Sequence, residues 1–212
     1  MNNPGNASKG LKLSCGLTAA LLGACAAAPS EPVSEKLDPD TATTVTILSH
    51  PIELLSQNRS KQMDPFAYIA PFETNRMGAR DLFLWISTPQ AQGQLTQPQV
   101  LCKGQPLSLQ PLSQEGGAAG AHAGPGDNVA PAGASGAPVK VDLSQLNLSR
   151  APYDSPVPWS TQWYFRLPAD SLKCLADAEG ISLEARAADG GPEQFTTSGR
   201  KELASLDAFT RR

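Results

Sequence analysis

Residues 113–138 read SQEGGAAGAHAGPGDNVAPAGASGAP, almost wholly Gly, Ala, Pro and small polar side chains. A run of this composition cannot bury enough apolar surface to offset the backbone entropy of ordering it, so it reads as an exposed, disordered insertion. It divides the chain into two parts, each small for a core of its own. The 212 residues are therefore read as one domain carrying a long loop, the alternative being a linker between two domains. Under the single-domain reading, strands from both sides of the insertion must meet in one core.

Charge narrows the partners. A formal net charge of −3 and a pI near 5.4, with no basic block, give no electrostatic footprint for a phosphate backbone, so nucleic acid is not an expected partner.

The first 24 residues place Lys9 and Lys12 ahead of a short apolar run, LSCGLTAALLGA, the layout of a signal peptide. The run is too short for an ordinary membrane-spanning helix. Its end, Leu22-Gly23-Ala24-Cys25, resembles the lipobox of bacterial lipoproteins, in which the cysteine is acylated and becomes the mature N-terminus. Cys15 fits this pattern less well, because Lys12 stands three residues before it. The resemblance implies a thioether-linked diacylglycerol and an amide-linked acyl chain such as palmitate on Cys25, enough for stable anchoring. The same resemblance implies the outer membrane, since Ala26 stands where lipoproteins retained in the inner membrane of enteric bacteria carry an aspartate. The alternative is an ordinary secretory peptide cut after the following alanines, with Cys25 a bystander. Without Lys9 and Lys12 the mature chain has 15 basic and 20 acidic side chains, a formal −5, so attraction to anionic lipid is not what holds it. Residues 25–43, CAAAPSEPVSEKLDPDTAT, read as a flexible tether with a reach of about 55 Å if fully extended.

From residue 44 the signals are those of strands. TVTIL opens the domain at 44–48, before Pro51. Two runs separated by NRMG read as a hairpin, with Phe66, Tyr68, Ala70 and Phe72 at period two on the first arm. The second arm, 82–86, is apolar without a break, as in a strand covered on both faces. Weaker strands are expected at PQVLCKG and PLSLQPL, and a short one at VKVDLSQL. In TQWYFRLP, Trp163, Phe165 and Leu167 share an inward face while Gln162, Tyr164 and Arg166 face outward. A short helix begins near Asp170, with Leu172, Leu175 and Ala176 on one side, and stops at Gly180. ISLEARAADGGPEQFTT reads as a hairpin turning at Asp189-Gly190. Ser198 can cap a last helix whose Leu203, Leu206 and Phe209 share a face.

The fold class that follows is α+β, mainly β: an antiparallel β-sandwich or partly open barrel over 44–212, with two short helices near the C-terminus. The NRMG hairpin running into LFLWIS, and the closing order of strand, helix, hairpin and helix, are similar to proteobacterial envelope lipoproteins, a resemblance that implies an address and no activity.

With Cys15 removed and Cys25 acylated, Cys102 and Cys174 remain, and an oxidising envelope is expected to pair them. Two buried free thiols are the alternative. A tetrahedral metal site is not expected from two cysteines without neighbouring histidines, and no motif points to a cofactor. His50 and His122 are the only histidines, one at a strand end and one inside the insertion, so no serine or cysteine nucleophile has an evident base. G-x-S-x-G, H-E-x-x-H and a phosphate-binding glycine loop are absent from the sequence. No catalytic residue is assigned.

Two groups of residues suit recognition. Glu73, Asn75, Arg76, Arg80 and Asp81 cluster at the hairpin tip, where a solvated turn is the bland reading. Tyr153, Trp159 and Tyr164 could form an aromatic surface for glycan or peptide, or simply cover a sheet edge. The functional expectation is a non-enzymatic envelope lipoprotein, an accessory or scaffold for a protein partner in the envelope. The alternatives are a glycan- or peptide-binding module near Trp159, and an enzyme acting on envelope polymers through paired carboxylates.

Overall fold

The computed structural model describes residues 31–58, 66–89, 98–112, 122–123, 142–156, 160–186, 191–197 and 199–212. It is mainly β, a curled antiparallel half-barrel with two short helices. The strands are β1 (Val33–Asp38), β2 (Thr43–Leu48), β3 (Ile52–Ser56), β4 (Phe66–Arg76), β5 (Ala79–Pro89) and β6 (Gln99–Cys102). Then come the two-residue strands β7 (Gln105–Pro106), β8 (Gln110–Pro111) and β9 (His122–Ala123), followed by β10 (Ser160–Arg166), β11 (Ile181–Arg186) and β12 (Pro192–Thr196). Helix α1 spans Ala169–Ala176 and α2 spans Ala204–Thr210. The sheet runs β7-β6-β11-β12-β3-β4-β5-β10-β8, with β9 also on β10, and β2 pairing with β4 while carrying β1 on its other side. Strands from both sides of the insertion thus share one sheet.

The β4–β5 hairpin matches the sequence expectation. Met77 (φ 52°) and Gly78 (φ 89°) are both left-handed, the type I′ pair whose twist suits two antiparallel strands. The Asn75 side chain fixes the turn by accepting the Gly78 N–H at 3.0 Å. Phe83, Leu84, Trp85 and Ile86 are completely buried, so the second arm is covered on both faces.

Four expectations are corrected. Residues 25–43 are not a tether throughout: Val33–Asp38 pairs with β2 over its whole length. Only Val33 is buried, because an edge strand held by backbone bonds needs little apolar surface and therefore has the composition of a linker. VKVDLSQL does not supply a strand at its described end, where Leu143–Leu146 is a 3₁₀ turn. Asp142 starts it by accepting the Ser144 N–H at 2.9 Å, and Asn147 ends it in the left-handed region. β10 has no outward polar face except Arg166, since Gln162 and Tyr164 are as buried as Trp163 and Phe165. Within the insertion, His122 and Ala123 pair with Gln162 and Thr161 of β10, so these two residues are held rather than free. The rest of 113–138, together with residues 1–30, Trp159, Asp189-Gly190 and Ser198, lies outside the described residues.

Residues directly opposite in antiparallel strands share a face, so the registers assign both sides of the sheet. The concave face carries Ile52, Leu54, Ala67, Ile69, Ile86, Trp163, Leu183 and Phe195. A 2.01 Å disulfide joins Cys102 at the end of β6 to Cys174 of α1, as compartment and parity predict. The convex face carries Val45, Ile47, Phe72, Phe83, Trp85 and Tyr164, all buried. Residues 142–156 are tied across this face. Ser149 bonds Asp38 at the end of β1, Asn147 accepts from Arg76, and Ser155 bonds Ser87 of β5.

In this crossing segment, Tyr153 rests beside Trp85 with ring centroids 5.1 Å apart and meets Phe72 edge-on at 6.2 Å. β4 changes partner beneath it: Ile47 pairs with Phe72, whereas Ile52 pairs with Ile69. Continuing the β2 register would set Leu48 opposite Pro71, but the chain departs there. The Tyr153 hydroxyl occupies the gap, accepting the Leu48 N–H at 2.8 Å and donating to the Pro71 carbonyl at 2.9 Å.

Tyr153→Phe therefore leaves a buried donor and a buried acceptor without this partner, and urea unfolding should show a loss of about 2–3 kcal/mol with the concave core unchanged. Replacing Cys102 and Cys174 by serine should cost about 2–4 kcal/mol on the same measurement, because the bridge spans 72 residues of chain.

Candidate functional site

The concave face is not covered to its end. Where β1, β2, β4 and β5 run past the core, a cleft of about 320 Å³ lies between the sheet and the helices. Register builds its floor as one row across four strands: Glu35 opposite Thr46, Thr46 opposite Glu73, and Glu73 opposite Leu82. At about 4.8 Å between strands, Glu35 and Glu73 stand about 10 Å apart at the backbone. Leu172 of α1 and Phe209 of α2 close the cleft with apolar surface, and Thr210 adds a hydroxyl.

Two ion pairs face this space. Arg80 Nε lies 3.5 Å from Glu73 Oε1, and Arg212 Nη1 lies 2.9 Å from Glu35 Oε1. The side chains retain between 26% and 62% of their exposure, so the pairs contribute little to stability and stay accessible to a ligand. The cleft is formally neutral, with both signs presented over an apolar surface.

The hairpin-tip cluster divides by face. Glu73 and Arg80 enter the cleft, while Asp81 lies on the other side, 2.9 Å from Arg166, which also stands over the Phe83 ring at 5.3 Å. Asn75 holds the turn and Arg76 reaches Asn147. The aromatic cluster does not form an exposed platform from Tyr153 and Tyr164, which are 6% and 1% exposed. Both are core rings with satisfied hydroxyls: Tyr164 donates to Gln162 Oε1 at 3.2 Å, and Trp85 Nε1–H donates to the same oxygen at 2.9 Å. Trp159 lies outside the described residues. Glu35, Thr46 and Arg212 were not read as site residues from sequence, and Phe209 only as part of the last helix's apolar face, because Glu35 sits in the strand that reads as a linker and the row exists only in the register. The one available signal was the register-setting type I′ turn, which places Glu73 beside Leu82.

Among the described residues, no three His, Cys, Asp or Glu side chains gather as a metal-binding group, and no helix is long and apolar enough to cross a membrane. Comparison of the chain with protein-family models, with curated proteins and with solved structures gives no match in any of the three.

Burial pushes the phenols of Tyr153 and Tyr164 above their ordinary value of 10.0. A raised folded-state value stabilises the fold fully below the unfolded value, and that contribution is lost as the pH climbs from there through the folded value. The midpoint of thermal unfolding should therefore fall steadily above pH ~10, and ultraviolet titration should show these two phenols ionising only as the fold is lost.

Proposed function

We propose that this protein is a non-enzymatic lipoprotein of the cell envelope, an accessory or scaffold for another envelope component, acylated on Cys25 and held in the outer membrane facing the periplasm. The observation that carries the reading is Leu22-Gly23-Ala24-Cys25 at the end of a short apolar run preceded by Lys9 and Lys12. The Cys102–Cys174 bridge supports it, since such bonds persist in oxidising compartments. Against an acid–base role, each carboxylate of the cleft is engaged by an arginine.

The start of β1 sets the distance to the anchor. Residues 26–32 separate Cys25 from Val33, and seven residues reach about 25 Å at full extension, so the domain stays near the bilayer. Val33 pairs with Leu48 at one end of β2, while Thr44 at the other end pairs with Asn75 beside the hairpin tip. The tip, with Met77 94% exposed, thus lies away from the anchored end, where a partner in the periplasm meets it. A binding-module reading is favoured by a different observation, the cleft, rather than by Tyr153 and Tyr164, whose rings are buried.

Metabolic labelling with an alkyne fatty acid should mark the wild-type chain and leave Cys25→Ser unlabelled and released from the membrane fraction. Label persisting on the variant overturns the assignment.

A further inference from the structure

We propose that the cleft between α2 and the row Glu35–Thr46–Glu73–Leu82 is a binding site for a short zwitterionic peptide of about three residues carrying an apolar side chain. The proposal does not depend on acylation of Cys25, because every residue it uses lies between Glu35 and Arg212.

Charge and shape select this class. A ligand of single charge would meet as much repulsion as attraction in a cleft holding Glu35, Glu73, Arg80 and Arg212. Phosphate-rich polymers face the two carboxylates. A neutral sugar finds no exposed ring among the lining residues on which to stack, since Phe209 is only 6% exposed. A zwitterion uses both signs. Its ammonium joins the carboxylate of one pair and its carboxylate joins the guanidinium of the other, and the two glutamates rise from strands whose backbones stand about 10 Å apart. Three extended residues span the same distance. The volume of about 320 Å³ lies at the small end of ligand pockets, as a peptide of this size requires.

The pairs need not break on binding. The contact in each pair uses one guanidinium nitrogen and one carboxylate oxygen. A guanidinium has five N–H donors and a carboxylate about four acceptor positions, so each pair has capacity for a third charge. Leu82 and Leu172 offer apolar contact to the middle side chain, and Thr46 and Thr210 offer hydroxyls to the peptide backbone.

The test is calorimetric titration of the detergent-solubilised full-length chain with the tripeptide Ala-Leu-Ala, its N-acetyl form and its C-amide form. The free tripeptide should bind saturably at one site per chain, and blocking either end should weaken binding about tenfold. Glu73→Gln and Arg80→Gln should each weaken it by a similar factor, while Met77→Ala, at the hairpin tip outside the cleft, should not. Absence of binding up to about 10 mM peptide overturns the proposal. So does equal affinity for the blocked forms, which is measured on the wild-type chain and does not rely on any variant folding. Unchanged affinity in both cleft variants overturns it as well.

Discussion

The Tyr153 hydroxyl holds the fold together where the sheet divides. β4 has eleven residues and serves two partners in turn, β3 along its first part and β2 along its second. A change of partner in mid-strand leaves backbone groups that neither ladder satisfies, and burying such groups costs free energy comparable to a lost hydrogen bond. One side chain from residues 142–156 reaches the gap and answers both the Leu48 N–H and the Pro71 carbonyl. The β1–β2 ribbon can then swing away from β3 without exposing the interior.

The two-sided core depends on that division. The concave face packs under the helices, and the disulfide ties α1 to β6 near the sheet's edge. The convex face packs under residues 142–156, whose ties at Asp38, Arg76 and Ser87 span the sheet. Covering both faces forces polar side chains inward, and Gln162 is tolerated there because its amide oxygen satisfies Trp85 and Tyr164 together. The cleft arises where the concave cover ends. α2 brings Phe209 over the row of side chains from β1 to β5, and Arg212, just past its end, reaches Glu35, leaving polar and apolar groups together at the surface.

Much of the sheet was legible in the residues. Period-two alternation in β11, the unbroken apolar run of β5, and the NRMG break between β4 and β5 report local geometry, which the chain carries in its own spacing. β1 was not legible, because its pairing groups are backbone atoms common to every residue and its side chains are mostly exposed. Tyr153 and Tyr164 read as surface rings because tyrosine suits both a wet edge and a core with a partner for its hydroxyl. Of the cleft, only Glu73 and Arg80 were read as candidate recognition residues, and their location suggested a turn.

What the sequence alone determined was the class of fold, the positions of most strands, the two cysteines available to pair and the expectation of an envelope address. These follow from composition and short-range periodicity, properties of neighbours along the chain. The tertiary structure decided that β4 changes partner, that a phenol bridges the change, that β10 is buried on both faces, and that Glu35, Thr46, Glu73 and Leu82 line up beneath α2. Each of those depends on strand register and on which segment crosses which face. Long-range pairing fixes both, and no local stretch of sequence encodes them.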